Sequence, residues 1–282
     1  MLTIDPKEIP VPKLHHYLLG GVGPRPIALA STVDKDGNPN LSPFSFFNVF
    51  SANPPIMVFS PARSGRTGAT KNTFDNVKET REVVINVVTY AIVQQVSLAS
   101  SPYEKGVDEF IKSGLTPVAS DLIKPFRVKE SPVQFECKVN DIIELGQNGG
   151  AGNLVICEVV KIHINEKVLD ENDMIDQQKI DLVSRMGGNW YCRADQHAMF
   201  EVAKPITTIG IGVDAIPEPI RNSTVLTGNE LGLLGSVEQI PTKEEVDAFH
   251  YDGNKPHQDA HVLLKQGRVT EAWKVLLKEG GK

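Results

Sequence analysis

The chain has 282 residues, of which 40% are hydrophobic and 23% charged, as is typical of a globular protein with a buried core. Its formal net charge of -6 and the lack of a basic block argue against a nucleic-acid partner, because phosphate backbones are bound through basic surfaces. The three cysteines are far apart and have no CxxC spacing, which favours free thiols in a reducing cytoplasm. No segment approaches the roughly 18 apolar residues of a membrane helix, and the first residues lack the apolar run of a signal peptide. We therefore expect a cytoplasmic protein with no membrane partner.

The first half of the chain is predicted to be mostly β-strand. Runs rich in β-branched and aromatic residues occur at 26–34, 40–51, 56–61, 82–89, 133–145 and 153–164. Asp36-Gly37 marks a turn after the first run. The glycine-rich segment 146–152 is interpreted as a hairpin loop, because a strand and not a helix follows it. Many strands with few, short helices favour a mainly β fold, a β-barrel, over a doubly wound sheet.

Short helices are predicted between these strands. One spans 70–80, with Thr70 as its N-cap and with Phe74 and Val77 on one face. A second follows the capping box Ser101-Pro-Tyr-Glu104 and ends near Gly114.

From about residue 200 the composition changes, so we divide the chain into a domain of residues 1–200 and a C-terminal extension of residues 201–282. Residues 205–241 are rich in turn formers and are predicted to form an extended arm. The capping box Thr242-Lys-Glu-Glu245 begins a helix. A last, amphipathic helix carries an apolar stripe of Val269, Ala272, Trp273, Leu276 and Leu277. The stripe packs either on its own barrel or across a second subunit, where it would cover a binding cleft; we favour the second.

The segment SPARSGRTGATKNT, residues 60–73, has the composition of an anion site. It carries Arg63, Arg66 and Lys71 without an acid, among five hydroxyls and two glycines. Lys71 and the two residues after it fall in the first turn of the predicted helix, where N–H groups are unpaired and the dipole favours an anion. Arginine grips phosphate oxygens bidentately, and lysine adds a point charge. The segment therefore predicts a phosphate site, with a solvated loop before an ordinary helix as the alternative; the lack of GxxxxGK[ST] excludes a P-loop.

A series of segments between about residues 20 and 195 has a recognisable order. They are RPIALASTVDKDGNPNLSPFSFFNVFSANPPIMVFS, KNTFDNV, EVVINVV, DEF followed by GLTPV, PVQFECKV and GGNWYCR. Together they resemble the flavin reductase-like family of FMN-binding split barrels. The resemblance implies a homodimeric split β-barrel with FMN at the subunit interface. It also implies flavin-dependent redox chemistry, often driven by NADH or NADPH.

The resemblance also implies which residues hold the cofactor. The FMN phosphate would lie against Ser60, Arg63, Thr67, Lys71, Asn72 and Thr73. The isoalloxazine would lie against two groups in the early strands, namely Ala30, Ser31 and Thr32, and Asn48, Val49, Phe50 and Ser51. No catalytic side chain and no metal is expected, because the flavin itself mediates hydride transfer.

Other candidate residues have simpler explanations. Adjacent His15 and His16 cannot share a helix face, and His250, His257 and His261 lack an accompanying cysteine or HExxH pattern, so surface positions are favoured over metal ligands. At least two of Phe44, Phe46, Phe47 and Phe50 are expected in the core, whereas a buried Asn48 would need hydrogen-bond partners. Tyr191 and Arg193 could approach the flavin or the nicotinamide from the partner subunit, and Trp190 could anchor the interface.

The sequence predicts an FMN-dependent oxidoreductase that uses NADH or NADPH to reduce flavin or a small acceptor. One alternative is an electron carrier whose FMN passes electrons between redox proteins. A slow reaction with nicotinamide nucleotides and fast exchange with a redox protein would favour that carrier. A third reading is a non-catalytic flavin-binding protein, for which the C-terminal extension is the only indication.

Overall fold

A computed structural model describes residues 1–278 of the chain. The chain divides into two units, Met1–Phe200 and Glu201–Lys282. The first contains the β-structure and the second is helical. Within the described residues, no helix combines the length and the apolar character needed to cross a membrane.

The strands lie in the first unit. In chain order they are β1 Ala28–Val33, β2 Pro39–Phe44, β3 Phe47–Ala52, β4 Pro55–Phe59, β5 Glu82–Asn86, β6 Pro117–Val118, β7 Arg127–Val128, β8 Val133–Glu144, β9 Asn153–Ile164, β10 Val183–Arg185 and β11 Tyr191–Arg193. Seven of them form one antiparallel sheet in the order β2-β1-β5-β8-β9-β4-β3, and β6-β7 and β10-β11 form two small ribbons. The segment 146–152 joins β8 to β9 as the predicted hairpin loop.

The two edge strands of the large sheet follow one another in the chain. Ser45 and Phe46 alone separate β2 from β3, and three peptide steps span at most about 11 Å. The two edges must therefore come close at this point, and the sheet curls into an incompletely closed barrel. The prediction of one strand over 40–51 is wrong for this reason: the chain turns at Ser45-Phe46 to pass from one edge to the other.

The helices are α1 Val11–Gly21, α2 Asn72–Thr80, α3 Val93–Ala99 and α4 Glu109–Ser113 in the first unit, and α5 Glu218–Arg221, α6 Gly228–Gly235, α7 Lys243–Ala248, α8 Pro256–Lys265 and α9 Val269–Lys278 in the second. The sequence analysis missed α1 and α3. Helix α2 packs Phe74 and Val77 against the small side chains Ala28 and Ala30 of β1. The opposite face of β1 packs Leu29 in a second core cluster with residues of α3 and α4.

Two predicted helix starts are corrected. Helix α2 begins at Asn72 after Lys71, and the hydroxyl of Thr70 lies 3.2 Å from a carboxylate oxygen of Asp75 instead of capping the helix. The Ser101 capping box does not begin a helix: α3 ends at Ala99, and the chain turns at Lys105-Gly106 before α4 begins at Glu109. Helix α4 is capped by Asp108, whose carboxylate accepts the N–H of Phe110 at 2.8 Å, and it ends at Gly114 as predicted.

The second unit has a hydrophobic core of its own. Its fully or largely buried members are Ile216, Ile220, Leu226, Leu234, Ala260, Leu264, Ala272, Trp273 and Leu276. The prediction of an extended arm over 205–241 is therefore wrong, since α5 and α6 lie there and contribute core residues. The capping box at Thr242 is confirmed.

The apolar stripe of α9 is buried inside this second unit. Trp273 has no exposed surface, and its indole N–H donates to the carbonyl of Leu234 at 3.0 Å. Ala272 and Leu276 are buried in the same cluster, and Val269 and Leu277 pack against it. The expectation that the stripe covers a second subunit is wrong, because the helices of the second unit already bury it.

Candidate functional site

A cavity of about 220 Å³ opens beside the first turn of α2, and we call it the Lys71 cavity. Its lining comes from α1, β2, the turn at Ser45-Phe46 and the loop after β4. The lining residues are His15, Leu19, Ser42, Pro43, Phe44, Ser45, Phe46, Ser60, Ala62, Lys71 and Ser100. Of the predicted phosphate ligands, Ser60 and Lys71 thus reach one site. His15, for which a surface position is expected, is exposed and also lines this cavity, and its ring lies edge-on to Phe46 with centroids 6.5 Å apart.

The N-terminus of α2 is suited to an anion. Lys71 is its N-cap residue, and no side chain among residues 1–278 caps the first turn. The first N–H groups of a helix have no acceptor within it, so the positive end of the α2 dipole lies at Lys71. This arrangement can hold a phosphate without further rearrangement of the backbone.

The loop after β4 is fixed to the hairpin loop 146–152. The N–H of Arg63 donates to the carbonyl of Ala151 at 2.8 Å, and the N–H of Gly150 donates back to the carbonyl of Arg63 at 3.1 Å. A Cβ at Gly149 would lie 2.9 Å from the carbonyl oxygen of Ser64, so only glycine permits this approach. The hairpin glycines thus serve close packing of two loops beside the Lys71 cavity.

Arg63 is engaged by the same hairpin and does not line the Lys71 cavity. Its guanidinium lies 3.0 Å from Glu144 and 2.9 Å from the side-chain oxygen of Gln147. Its Nε is buried and has no hydrogen-bond partner among the described residues. Lys78 also bonds Glu144, at 3.0 Å. Hydrogen bonds from Lys78, then from Gln147 and Arg63, hold the pKa of the Glu144 carboxyl below its ordinary value.

Three other predicted phosphate ligands point elsewhere. Thr67 is exposed, and its hydroxyl accepts the N–H of Ala69 at 3.3 Å within the loop. Asn72 lines a separate narrow cleft with Asp34 and Lys105. Thr73 is buried, and its hydroxyl accepts from the amide of Asn40 at 2.9 Å.

The residues expected under the isoalloxazine are of two kinds. Ala30, Ser31 and Thr32 have no exposed surface in the first unit. Thr32 accepts hydrogen bonds from the amides of Asn40 at 3.3 Å and Asn76 at 3.1 Å, which fixes α2 to β1 and β2. The hydroxyl of Ser31 has no partner within residues 1–278. These three side chains lie in the core of the first unit and line neither cavity. Their contact with the isoalloxazine stays a prediction.

Strand β3 presents the second group at the edge of the sheet. Asn48, Val49 and Phe50 are exposed, with Phe50 at 69%, whereas Ser51 is partly buried. Asn48 needs no buried partner, since its side-chain oxygen accepts the N–H of Val49 at 2.8 Å. Among the phenylalanines, the expectation of two core residues is confirmed. Phe44 is buried and Phe47 packs against the core, whereas Phe46 and Phe50 are exposed.

A second cavity, of about 340 Å³, lies on the β3 side of Phe46, and we call it the Arg25 cavity. Its lining is mostly apolar. The lining residues are Val22, Pro24, Arg25, Pro26, Ser45, Phe46, Phe47, Asn48, Phe50, Val58, Phe59, Ser60 and Leu154. It shares Ser45, Phe46 and Ser60 with the Lys71 cavity. Ser60 is fixed at this junction by its N–H bond to the carbonyl of Phe46 at 2.8 Å. The Lys71 cavity, with its anion-binding groups, thus adjoins the aromatic wall of the Arg25 cavity. A flavin needs both kinds of surface, one for its phosphate and one for its ring.

Two other clusters have different explanations. Asp121, Glu136 and His163 have the spacing of metal ligands, but Glu136 already accepts two backbone N–H groups at 2.8 Å and lies 2.7 Å from His163. We therefore interpret this cluster as a hydrogen-bonded ion network.

Arg193 stacks on Tyr90 at 4.0 Å and pairs with Asp181 at 2.7 Å. Tyr191 lines a cleft with Tyr90 and Arg193, and Trp190 is 78% exposed. The two histidines with helical spacing are also engaged, since the rings of His257 and His261 lie 2.6 Å from Ser223 and Glu230.

Comparison with known proteins gives a consistent picture for the first unit. The model of the flavin reductase like domain matches residues 21–180. An uncharacterised protein of Aquifex aeolicus is 36% identical over 189 residues, which are 67% of this chain and 93% of that protein.

Solved structures with the same fold include nitrilotriacetate monooxygenase component B from Bacillus cereus, with a TM-score of 0.67, 30% identity and coverage of 72% of this chain and 98% of that one. The 2-nitrobenzoate 2-nitroreductase of Pseudomonas fluorescens has a TM-score of 0.65 and 25% identity, over 75% of this chain and 100% of that one. A split-barrel protein of Shewanella frigidimarina has a TM-score of 0.59 and 29% identity, over 70% and 96%.

Proposed function

The chain belongs to the family of flavin reductase-like domains, and from this we propose that it is an FMN-dependent oxidoreductase. NADH or NADPH is the proposed donor, and a flavin or a small molecule is the acceptor. Residues 1–200 form the flavin-binding domain in this proposal, and residues 201–282 are an appended helical unit. The observation that carries the proposal is the uncapped N-terminus of α2, with Lys71, beside an aromatic wall formed by Phe46.

The chain's own residues would bind and orient the cofactor. Lys71 and the first-turn N–H groups of α2 fit the phosphate, and Ser60 lines the same cavity. When bound, FMN supplies hydride chemistry, so that the protein needs to provide alignment and no general base. The rigid contacts between the loop after β4 and the hairpin 146–152 would fix the cradle before the cofactor arrives.

A homodimer is part of the same proposal. Val49 and Phe50 are 57% and 69% exposed on the edge strand β3, directly beside the Arg25 cavity. An apolar edge strand is normally covered, and a second copy of this chain would close both cavities against water. Named relatives fit an oxidoreductase: one is a component of a monooxygenase and another is a nitroreductase.

The alternative is an electron carrier whose FMN exchanges electrons with redox proteins. The exposed aromatic side chains beside the cavities favour it, because they would let a partner protein approach closely. In that case the reaction with nicotinamide nucleotides would be slow, and exchange with a redox protein would be fast.

Anaerobic spectroscopy tests the proposal. The purified protein is saturated with FMN and titrated with NADH or NADPH while its visible absorbance is followed. The enzyme proposal predicts that one of the nucleotides bleaches the bound flavin within seconds, with one equivalent reducing one flavin. The flavin could instead stay oxidised with both nucleotides and be reduced quickly by a low-potential redox protein. That result would contradict the enzyme proposal and support the electron carrier.

A further inference from the structure

Helix α1 forms one wall of the Lys71 cavity but buries little of its own surface. His15 and Leu19 line the cavity from this helix. None of the residues 11–21 is buried, and no core cluster within residues 1–278 includes any of them. No side chain among residues 1–278 caps the first turn of α1. Short helices depend on tertiary packing for their stability, so α1 opens locally at a low cost in free energy.

The C-terminal end of α1 is anchored to the β10-β11 ribbon. The guanidinium of Arg25 donates to the carbonyls of Leu19, at 2.8 Å, and of Val22. Arg25 is itself fixed to the last residue of β10 by two backbone hydrogen bonds, of 2.9 and 2.8 Å. A Cβ at Gly187 would lie 3.0 Å from Cα of Gly20, so the end of the helix also packs closely on the loop after β10. This end is therefore held firmly.

The rest of α1 is held by lighter contacts. Val11 is 58% exposed, and a Cβ at Gly150 of the hairpin loop would lie 3.5 Å from its Cγ1, an ordinary van der Waals distance. The ring of the exposed His15 lies edge-on to Phe46. Helix α1 thus runs from the hairpin 146–152 to the loop after β10, with the Lys71 cavity beside its middle. Its N-terminal part can lift while the anchored end stays in place.

We propose that α1 is a strap over the Lys71 cavity, and that its N-terminal part must lift before a ligand enters or leaves. Gly20 and Gly21 in its last turn lower the stability of the helix further, because glycine has the greatest backbone freedom. That the ligand is FMN rests on the proposed function, whereas the opening of α1 does not. The strap then sets how fast FMN exchanges with solvent, separately from how tightly the cavity holds it.

Thiol labelling of the flavin-free protein tests the strap. Ala62→Cys places a thiol in the Lys71 cavity, in a chain that also carries Cys192→Ser. The two remaining native cysteines, Cys137 and Cys157, are buried. Leu18 is 55% exposed and lines neither cavity, so Leu18→Gly weakens the helix without removing a cavity wall. We expect Leu18→Gly to raise the rate of reaction with iodoacetamide at least threefold, and Leu18→Ala, the matched control, to leave it unchanged.

A stronger helix should slow the same reaction. A Cβ at Gly20 would meet no atom beyond its own helix within 4 Å among residues 1–278, so Gly20→Ala stabilises α1 without a clash. It should lower the labelling rate at least threefold, and Gly232→Ala, at an equally open position in α6, should not change it. Failure of either Leu18→Gly or Gly20→Ala to change the rate would overturn the proposal. An equal rise with Leu18→Ala would trace the effect to the lost side chain and would also overturn it.

The exchange of FMN provides the second arm. Stopped-flow fluorescence measures the association and dissociation rate constants of FMN in the same variants without the added cysteine. Because opening precedes both entry and exit, Leu18→Gly should raise both rate constants by the same factor and leave the Kd within twofold. A rise in the dissociation rate constant alone would make α1 a wall that contacts FMN and would overturn the strap. Altered labelling in a chain that binds no FMN would leave the strap standing and would count against the proposed function alone.

Discussion

At the scale of single residues, Lys71 is the cation on which the proposed phosphate site depends most. It is exposed, so Lys71→Ala should change the free energy of unfolding by less than about 0.5 kcal/mol, as surface substitutions do. A hydrogen bond to a charged group contributes about 1.5–3 kcal/mol, so FMN affinity should fall about tenfold or more, and riboflavin affinity should not. Lys35→Ala, at an exposed lysine outside both cavities, is the control. Fluorescence titration with both flavins measures the effect, and unchanged FMN affinity in Lys71→Ala would move the phosphate site elsewhere.

Glu144 predicts a dependence of stability on pH. Its pKa is lowered in the folded chain by hydrogen bonds from Lys78, Gln147 and Arg63. A carboxyl with a lowered folded pKa stabilises the fold above its ordinary pKa, about 4.3, and this stabilisation is lost as the pH falls through the lowered value. Glu144→Gln should therefore melt below the unaltered protein at pH 6, and the two melting temperatures should converge as the pH falls through the lowered pKa of Glu144. A constant difference in melting temperature from pH 6 to pH 3 would contradict this.

The sequence predicted neighbouring residues of the proposed site where they are close in the chain. Ser60 and Lys71, which line one cavity, were predicted together because hydroxyls and a cation cluster just before a helix. The engagement of Arg63 was not predictable, because its partner Glu144 is 81 residues away and meets it only through the sheet. The Arg25 cavity was missed for the same reason, since the segment after α1, β3, β4 and β9 come together there only in the folded chain.

At the scale of elements, a substitution in α9 tests whether burial of its apolar stripe stabilises the fold of the second unit. Trp273→Ala leaves a cavity in a closed core and should destabilise this unit by about 3–5 kcal/mol, while FMN binding by the first unit persists. Trp190→Ala is the matched control, because that side chain is 78% exposed and its removal should have little effect. Chemical denaturation followed by far-UV circular dichroism, with flavin fluorescence recorded in parallel, separates the two units. Loss of FMN in Trp273→Ala at native helicity would show that α9 contributes to the flavin site.

Local sequence patterns predicted helices and turns correctly only where the short-range signal was strong. The hairpin at 146–152, the Thr242 cap and the stripe of α9 follow from short-range signals. The helices between 205 and 241 could not be predicted from such signals, because α6 contains Gly228, Gly232 and Gly235. This helix is stabilised by burial of Leu234 and by its Thr227 cap. Such helices depend on tertiary packing more than on propensity. The turn at Ser45-Phe46 was missed because no glycine, proline or asparagine stands at these two positions and the aromatic strand pattern continues on both sides.

At the scale of the whole molecule, the proposed homodimer depends on the edge strand β3. Val49→Asp adds a charge to an edge side chain that lines neither cavity, and charged edge strands resist pairing. Sedimentation velocity over a dilution series should show a dimer for the unaltered chain and a monomer for this variant. Val262→Asp, at a side chain on α8 that is 52% exposed, should sediment like the unaltered chain. A dimer that survives Val49→Asp at all concentrations would place the interface elsewhere.

The central claim is that the first unit holds FMN by its phosphate at the Lys71 cavity. The most direct measurement is a side-by-side titration of the flavin-free protein with FMN and with riboflavin, followed by quenching of flavin fluorescence. The account predicts one FMN per chain and at least tenfold weaker binding of riboflavin, because riboflavin lacks the phosphate that Lys71 and the N-terminus of α2 would bind. Equal affinities for the two flavins would contradict it.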